Sequence, residues 1–374
     1  MIGENAEKVL RHELGRYFNL KEESIGPPNI YLGGSVRKVK LENGVECWAF
    51  GSSQYAQAAV KNVEEYLAKQ VAERWKLPTK AETPLRTTNR PELDVSPELG
   101  YTEAAYYMSL IGVLRWIVEL GRVDVFLEWS MMSSHLAMPQ EGHLDQVFQM
   151  FAYLKKYHNT EMVYDPSNPV IDEASFDFKD WASSEFGHIQ DKEELPTNMT
   201  QPRGQGFVLR AKVDADHAAN TVTRWSSTGF IIYLNSAPIY WNSKKNNSVE
   251  SSSFGSEFIA MKHFCEYIRG LRYKLRMMGI PCEGPVFIQC GNQYVLANTT
   301  ILNSKLNKKN QSIAYHFVRE GADRDEWRTT YVNTHNNEAD LLTKLLPSGE
   351  KRKGFLRCIL HHIFWSTTVW INYG

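Results

Sequence analysis

Three consecutive alternating runs, FVLRAKVD at 207–214, TGFIIYLN at 228–235 and APIYWNSK at 237–244, constrain the second half of this chain more than any other feature. In an extended strand successive side chains point to opposite faces. Phe207, Leu209, Ala211 and Val213 therefore share one face of the first run, and Val208, Arg210, Lys212 and Asp214 share the other. The second and third runs meet at Asn-Ser-Ala-Pro, a turn sequence, so the three read as a meander. A longer pattern follows. Phe254, Phe258, Met261, Phe264, Cys265, Ile268, Leu271 and Leu275 form the stripe of one long helix, with Ser252 or Ser253 placed to cap it. Beyond it the patterns predict a strand at 285–290, a short helix, a helix around 312–320, a strand at RTTYV and a last helix capped by Asn336 or Asn337. On the long helix, Arg269, Arg272, Lys274 and Arg276 read as its water-facing side.

The first half has a different character. After a helical start, YLGGSVRKVKLENGVECWAF supplies two alternating runs joined at Glu42-Asn43-Gly44, where Asn-Gly favours a tight hairpin turn. Ala56, Ala59, Val60, Val63 and Leu67 then repeat at helical spacing. Residues 70–103, with Pro78, Pro84, Pro91 and Pro97, read as a surface connection. Residues 104–157 carry three helical patterns that stop at Gly or Pro. Residues 160–205 return to Pro, Asp, Glu and Asn and read as a long, partly ordered linker. The expected organisation is a mainly helical domain with a β-hairpin over 1–165, a linker over 166–205, an α/β domain over 206–346 and a C-terminal tail over 347–374.

Composition bounds the partners. With 374 residues, 43% hydrophobic and 23% charged, the chain is long enough for two cores. A formal net charge of −1 supplies no global pull toward nucleic acid, so such a partner has to be held by local basic patches. Five cysteines with no CxxC pair argue against a zinc finger or disulfide frame and point to an intracellular, reducing compartment, cytoplasmic or nuclear. The run MSLIGVLRWIVELG contains Arg115 and Glu119, and the apolar tail CILHHIFWSTTVWI is too short to span a bilayer, so no membrane segment is expected. The N-terminal MIGENAEKVLRHELG reads as amphipathic rather than as a signal peptide.

Three acids stand out, and each has an ordinary reading. Glu257 falls on the apolar stripe of the long helix, where a carboxylate needs an Arg, a Lys or a metal as partner, or else keeps its proton. It reads equally as a first-turn glutamate favoured by the helix dipole. Asp214 ends a strand, where Asp is a common turn-former, and Asp340 falls in the first turn of the last helix, where Asp is also common. Only the set is informative.

The strand ending in VDADHAAN, then RWSSTGFIIYLNSAPIYWNSKKN, SSSFGSEFIAM, NSKLNKKNQSIAYHFVRE and NEADLLTK, together resemble the ribonuclease H domain of copia-type long-terminal-repeat retrotransposons. Upstream, GPPNIYLGG, YYMSLIGVLRWIVELGRVDVFLEWSMMSSHL and GHLDQVFQMFAYLKKY resemble the part of the same Pol polyprotein that lies between the polymerase palm and that domain, its thumb and connection. The resemblance covers roughly residues 15–365. It implies a mixed five-stranded sheet with flanking helices, an RNA–DNA hybrid or other nucleic acid as partner alongside the rest of the polyprotein, and acids that hold two Mg2+ (or Mn2+) ions for in-line phosphodiester hydrolysis. Asp214, Glu257 and Asp340 match the first, second and fourth family acids. The third is the departure: where the family has Asp-Asn, this chain has Gly291-Asn292, which makes the two-ion site doubtful. Asp216, Glu250 and Glu283 are the candidates for rescue.

His316 aligns with a family histidine near the site, although a lone His on an amphipathic helix is more often packed or solvated. Lys244, Lys245, Lys305, Lys308 and Lys309 read either as phosphate contacts or as a solvated basic face. The paired aspartates of a polymerase palm occur nowhere in the sequence, so polymerase activity is not expected, and the chain looks like the C-terminal piece of a polyprotein, from a truncated gene or a decayed copy.

Overall fold

The computed structural model describes residues 6–21, 26–69, 74–176, 180–181, 196–282, 284–304, 306 and 309–364. The alternating runs of the second half form strands β5 (Leu209–Ala215), β6 (Ser227–Leu234) and β7 (Ala237–Lys245), and a further strand pair, β8 (Val286–Cys290) and β9 (Trp327–Tyr331), completes a five-stranded sheet. The strand order is β7-β6-β5-β8-β9. β5, β6 and β7 pair antiparallel, whereas β5, β8 and β9 pair parallel. This mixed sheet, with helix α6 (Ser253–Met277) crossing over between its antiparallel and parallel halves, is a ribonuclease H-like fold.

Both faces of the sheet are covered, and the alternation explains how. Leu209, Ala211, Val213, Phe230 and Ile232 pack with Phe258, Met261, Phe264 and Ile268 of α6. Each of the larger side chains, Ala211 excepted, contributes roughly 1.5–3 kcal/mol. The intervening residues Ile231 and Tyr233 face the other way, onto Leu341, Leu342 and helix α9 (Glu350–Ile359). α6 is capped by Ser252, whose hydroxyl accepts from Gly255 N at 3.1 Å. α7 (Gln293–Thr300) and α8 (Ser312–Asp323) pack with α6 on the first face.

The first half builds a second layer. Strands β1 (Ile30–Tyr31), β2 (Gly34–Lys40), β3 (Glu46–Gly51) and β4 (Glu161–Tyr164) form an antiparallel sheet in that order, with the expected turn at Gly44, φ +85°. Helices α2 (Ser53–Ala68), α3 (Tyr101–Glu119) and α5 (Glu141–Lys156) share an apolar core, and α4 (Phe126–Ser133) lies against β7. A short helix, α1 (Ala6–Gly15), precedes them. The two halves touch along Val123, Met162, Ile231, Tyr233 and Phe355, and Glu161 bridges to His361 beyond α9.

Several expectations change, α9 standing in the segment expected to be a tail among them. Residues 74–99 hold no long element, yet Trp75, Ala81, Leu85 and Leu99 are buried in the helical core rather than spread on the surface. β4 falls in what composition marks as linker. Arg272 does not face water: it is buried and donates to the carbonyls of Gly284 and Glu326, while Arg269 is paired with the Glu326 carboxylate. The last predicted helix is a short 3-10 segment, Glu338–Leu342, capped by the Asn337 side chain. Among the described residues no helix is long and apolar enough to cross a membrane.

Candidate active site

The acids meet at one end of the central strand. Asp214 lies near the end of β5, on the face opposite the α6 core. Glu257, in the first turns of α6, reaches that strand end and accepts a hydrogen bond from Ala215 N at 3.1 Å. Asp340 is delivered by the 3-10 segment, which lies close against β6 because residue 229 is glycine: a Cβ there would stand 2.7 Å from both Leu342 Cβ and Thr343 Cγ2. Thr343 donates to Asp214, and Lys344 bridges the two aspartates, its Nζ 3.0 Å from Asp214 and 2.7 Å from Asp340. Lys351, in the first turn of α9, donates to the other Asp340 oxygen at 2.5 Å.

The electrostatics are unequal. Burial, reinforced by the charge of Asp214, pushes the Glu257 carboxyl up to about 8. Burial also raises Asp214 to about 6 against the pull of Lys344. Burial acts on Asp340 in the same sense, but the hydrogen bonds from Lys344 and Lys351 outweigh it and hold its carboxyl below the usual range. Asp216 is buried and accepts from Ser227 N, yet burial pushes it to about 7. At neutral pH the cluster therefore keeps protons that solvated carboxyls would have lost.

The position of the missing acid is structurally open. Val213 pairs with Cys290 in the parallel ladder, so Gly291 continues β8 beside Asp214. A Cβ at Gly291 would meet only Val332 O at 3.8 Å and Asn337 Nδ2 at 3.9 Å, ordinary contacts. Glycine is not required there by space. Of the rescue candidates, Asp216 adjoins the cluster, Glu250 is held instead by Gln311 and Ser248, and Glu283 lies outside the described residues. Among the described residues no three His, Cys, Asp or Glu side chains form a preorganised metal cage.

The remaining sequence candidates are dispersed. His316 is on the exposed side of α8, its ring beside Tyr315. Lys244 and Lys245 are exposed at the end of β7 and Lys309 is exposed before α8, while Lys305 and Lys308 lie outside the described residues. Lys344 and Lys351 were not singled out by the sequence. Lys344 stands four residues after Asp340, a spacing that pairs charges on a helical turn, but nothing local ties Lys351 to the site.

No family model matches the chain. It is 26% identical over 259 residues to the retrovirus-related Pol polyprotein from transposon RE1 of Arabidopsis thaliana, covering 68% of this chain and 15% of that protein. Its relatives are retrotransposon Pol polyproteins. A second, from transposon TNT 1-94 of Nicotiana tabacum, is 22% identical over 342 residues, 90% of this chain. The chain thus spans only 15% and 22% of the length of these two Pol relatives. Among solved structures it is similar to RNase H1 from Halobacterium salinarum (16% identity, TM-score 0.29, covering 36% of this chain and 93% of that one) and to LC11-RNase H1 in complex with RNA/DNA hybrid (12% identity, TM-score 0.30, covering 36% and 93%). Strand order, rather than these overlays, defines the fold of this Pol relative.

Proposed function

We propose that residues 206–346 act as the ribonuclease H module of a retrotransposon Pol polyprotein, binding RNA–DNA hybrids with a hydrolytic centre one carboxylate short. The observation that carries this reading is the meeting of Asp214, Glu257 and Asp340, from three separated segments, at the end of β5 beside the donor-free Gly291. Exposed Lys244, Lys245 and Lys309 suit phosphates of a duplex.

The residues fit one divalent cation better than two. Asp214 and Glu257 offer hard carboxylate oxygens of the kind Mg2+ or Mn2+ takes, and their raised affinity for protons marks a shortage of positive charge. The Asp340 oxygens already accept from Lys344 and Lys351, and Gly291 offers no donor. When bound, such an ion supplies an activated water and neutralises charge on a phosphodiester. Glu257 has to release its proton before it can ligate. Lys344, beside both aspartates, is placed to balance the charge of a phosphate oxygen.

A labelled RNA–DNA hybrid tests this. Hybrid binding should weaken steeply with salt, and Gly291→Asp should cleave in Mg2+ at least roughly tenfold faster than the parent chain, the scale of loss when a metal-site partner is missing. Adding Asp214→Asn to that variant should abolish the gain. Absence of salt-sensitive binding rejects the module, and equal cleavage by parent and Gly291→Asp rejects the missing-carboxylate argument.

A further inference from the structure

A cleft of about 320 Å³ lies beside the acid cluster, between the two halves of the molecule. One wall comes from residues 87–92 and the end of α4, the other from the β5–β6 loop, the end of β7 and residues 343–345. Its volume is that of a small-ligand site. Trp225, half-buried on the loop, presents its ring to the cleft, with Lys245 Nζ 3.9 Å above the ring centroid. Arg90 is exposed at the rim, and its guanidinium donates to the main-chain carbonyls of Thr87 and Asn89 rather than to a carboxylate. The nearest acid on that wall, Glu92, is engaged by the amide and hydroxyl of Thr221. His135 lines the cleft, its ring tilted against that of His143 at a centroid distance of 4.1 Å. Burial and its neighbour keep the His135 ring neutral, so it offers one donor and one acceptor.

A flat aromatic face with one cation on one wall, and a second cation with a neutral donor–acceptor ring on the other, make a specific set. We propose that this cleft binds a single nucleotide unit, with the base stacked on Trp225, its polar edge toward His135 and its phosphate on Lys245 and Arg90. Stacking of a base on an aromatic ring outweighs a half-exposed cation–π contact, so Lys245 is free to swing from the ring to the phosphate. The unit comes either from a free mononucleotide or from an unpaired nucleotide at a strand end. The proposal does not rest on hydrolysis, since none of the contacts it uses requires a divalent cation.

Titration of the full chain in EDTA with AMP, adenosine and inorganic phosphate, followed by heat and by tryptophan fluorescence, tests it. AMP should bind at least roughly tenfold tighter than adenosine or phosphate, and Trp225→Leu and Arg90→Gln should each weaken AMP by about tenfold, the scale of one lost stack or phosphate contact. Arg90 is exposed, so its variant keeps the test valid if Trp225→Leu does not fold. A hybrid with one unpaired 3′ nucleotide, compared with a blunt one, separates the two sources: preference for the overhang assigns the cleft to strand ends, and AMP binding without that preference assigns it to free nucleotides. Phosphate binding as tight as AMP, or AMP binding unchanged in both variants, overturns the proposal. Loss of hybrid cleavage alone would leave it standing.

Discussion

Two of the buried charge clusters among the described residues are built on different rules. In the first, where the halves meet, Asp124 receives a two-pronged contact from Arg122 at 2.8 and 2.7 Å and a hydrogen bond from Tyr153 at 2.8 Å, and its main-chain carbonyl accepts from Arg352 of α9 at 2.9 Å. Arg352 also stands 3.9 Å from Glu128. Two guanidinium groups face two carboxylates: although burial pushes Asp124 upward, Arg122 holds it below its ordinary range, while burial raises Glu128 to about 7 against the pull of Arg352. In the second cluster, two lysines face Asp214, Asp216, Glu257 and Asp340, and three of those four carboxyls are raised. A matched set joins elements. A surplus of acid, kept at a stability cost at the end of a strand, marks a place where a ligand completes the charge.

The largest effect expected from this contrast is in the matched cluster. Arg352→Met leaves Glu128 and the Asp124 carbonyl without their guanidinium in a fully buried setting, and unfolding in urea should show a loss of about 3–5 kcal/mol. A loss under about 1 kcal/mol would mean that the cluster does not clamp α9 to the helical half.

Glu257→Gln should act in the opposite sense and with a pH signature. The folded chain holds the Glu257 proton up to about 8, against an ordinary value of 4.5, so it binds that proton more tightly than the unfolded chain. Stability from this group is full below pH 4.5 and is lost as pH rises toward 8. Melting curves of the parent chain should therefore fall between pH 5 and pH 9 by on the order of 2 kcal/mol more than those of Glu257→Gln. Parallel curves for the two proteins would show that Glu257 ionises normally in the fold.

How much of this is visible in the chain depends on whether a feature is local. Alternation in FVLRAKVD and the stripe from Phe254 to Leu275 are local consequences of burial, and they place β5, α6 and with them Asp214 and Glu257. β4 has only four residues, too few for a pattern, and is held by pairing with Trp48–Gly51. Proline-rich 74–99 reports the absence of long elements correctly but says nothing of burial, so Trp75 and Leu85 in the core come as a surprise. Phe176 and Trp181, in the stretch read as linker, are buried too, against Phe287 and the Arg319 guanidinium. α9 falls in the segment expected to be a tail, because its apolar face, Phe355, Leu356 and Ile359, is short and interrupted by charge. The lysines of the site were illegible for the same reason: Lys351 meets Asp340 only because α9 docks there.

That docking supplies the smallest and most discriminating expectation. Lys351 and Arg352 are neighbours on α9, one reaching the acid cluster and the other the matched cluster. Lys351→Met removes a partly exposed ion pair, so its stability cost should be only about 0.5 kcal/mol. Its electrical effect should be larger than its energetic one. With Lys351 gone, Lys344 is the one cation left in contact with Asp340 among the described residues, and the Asp340 carboxyl should titrate at higher pH in NMR of the labelled side chain. Divalent cations should in turn protect that variant against thermal unfolding more than they protect the parent, because Asp340 Oδ2 then keeps only the neutral Thr334 hydroxyl. If the titration of Asp340 does not move while stability falls as it does in Arg352→Met, Lys351 belongs with the matched cluster as a structural residue, and the division between the two kinds of buried charge does not hold at α9.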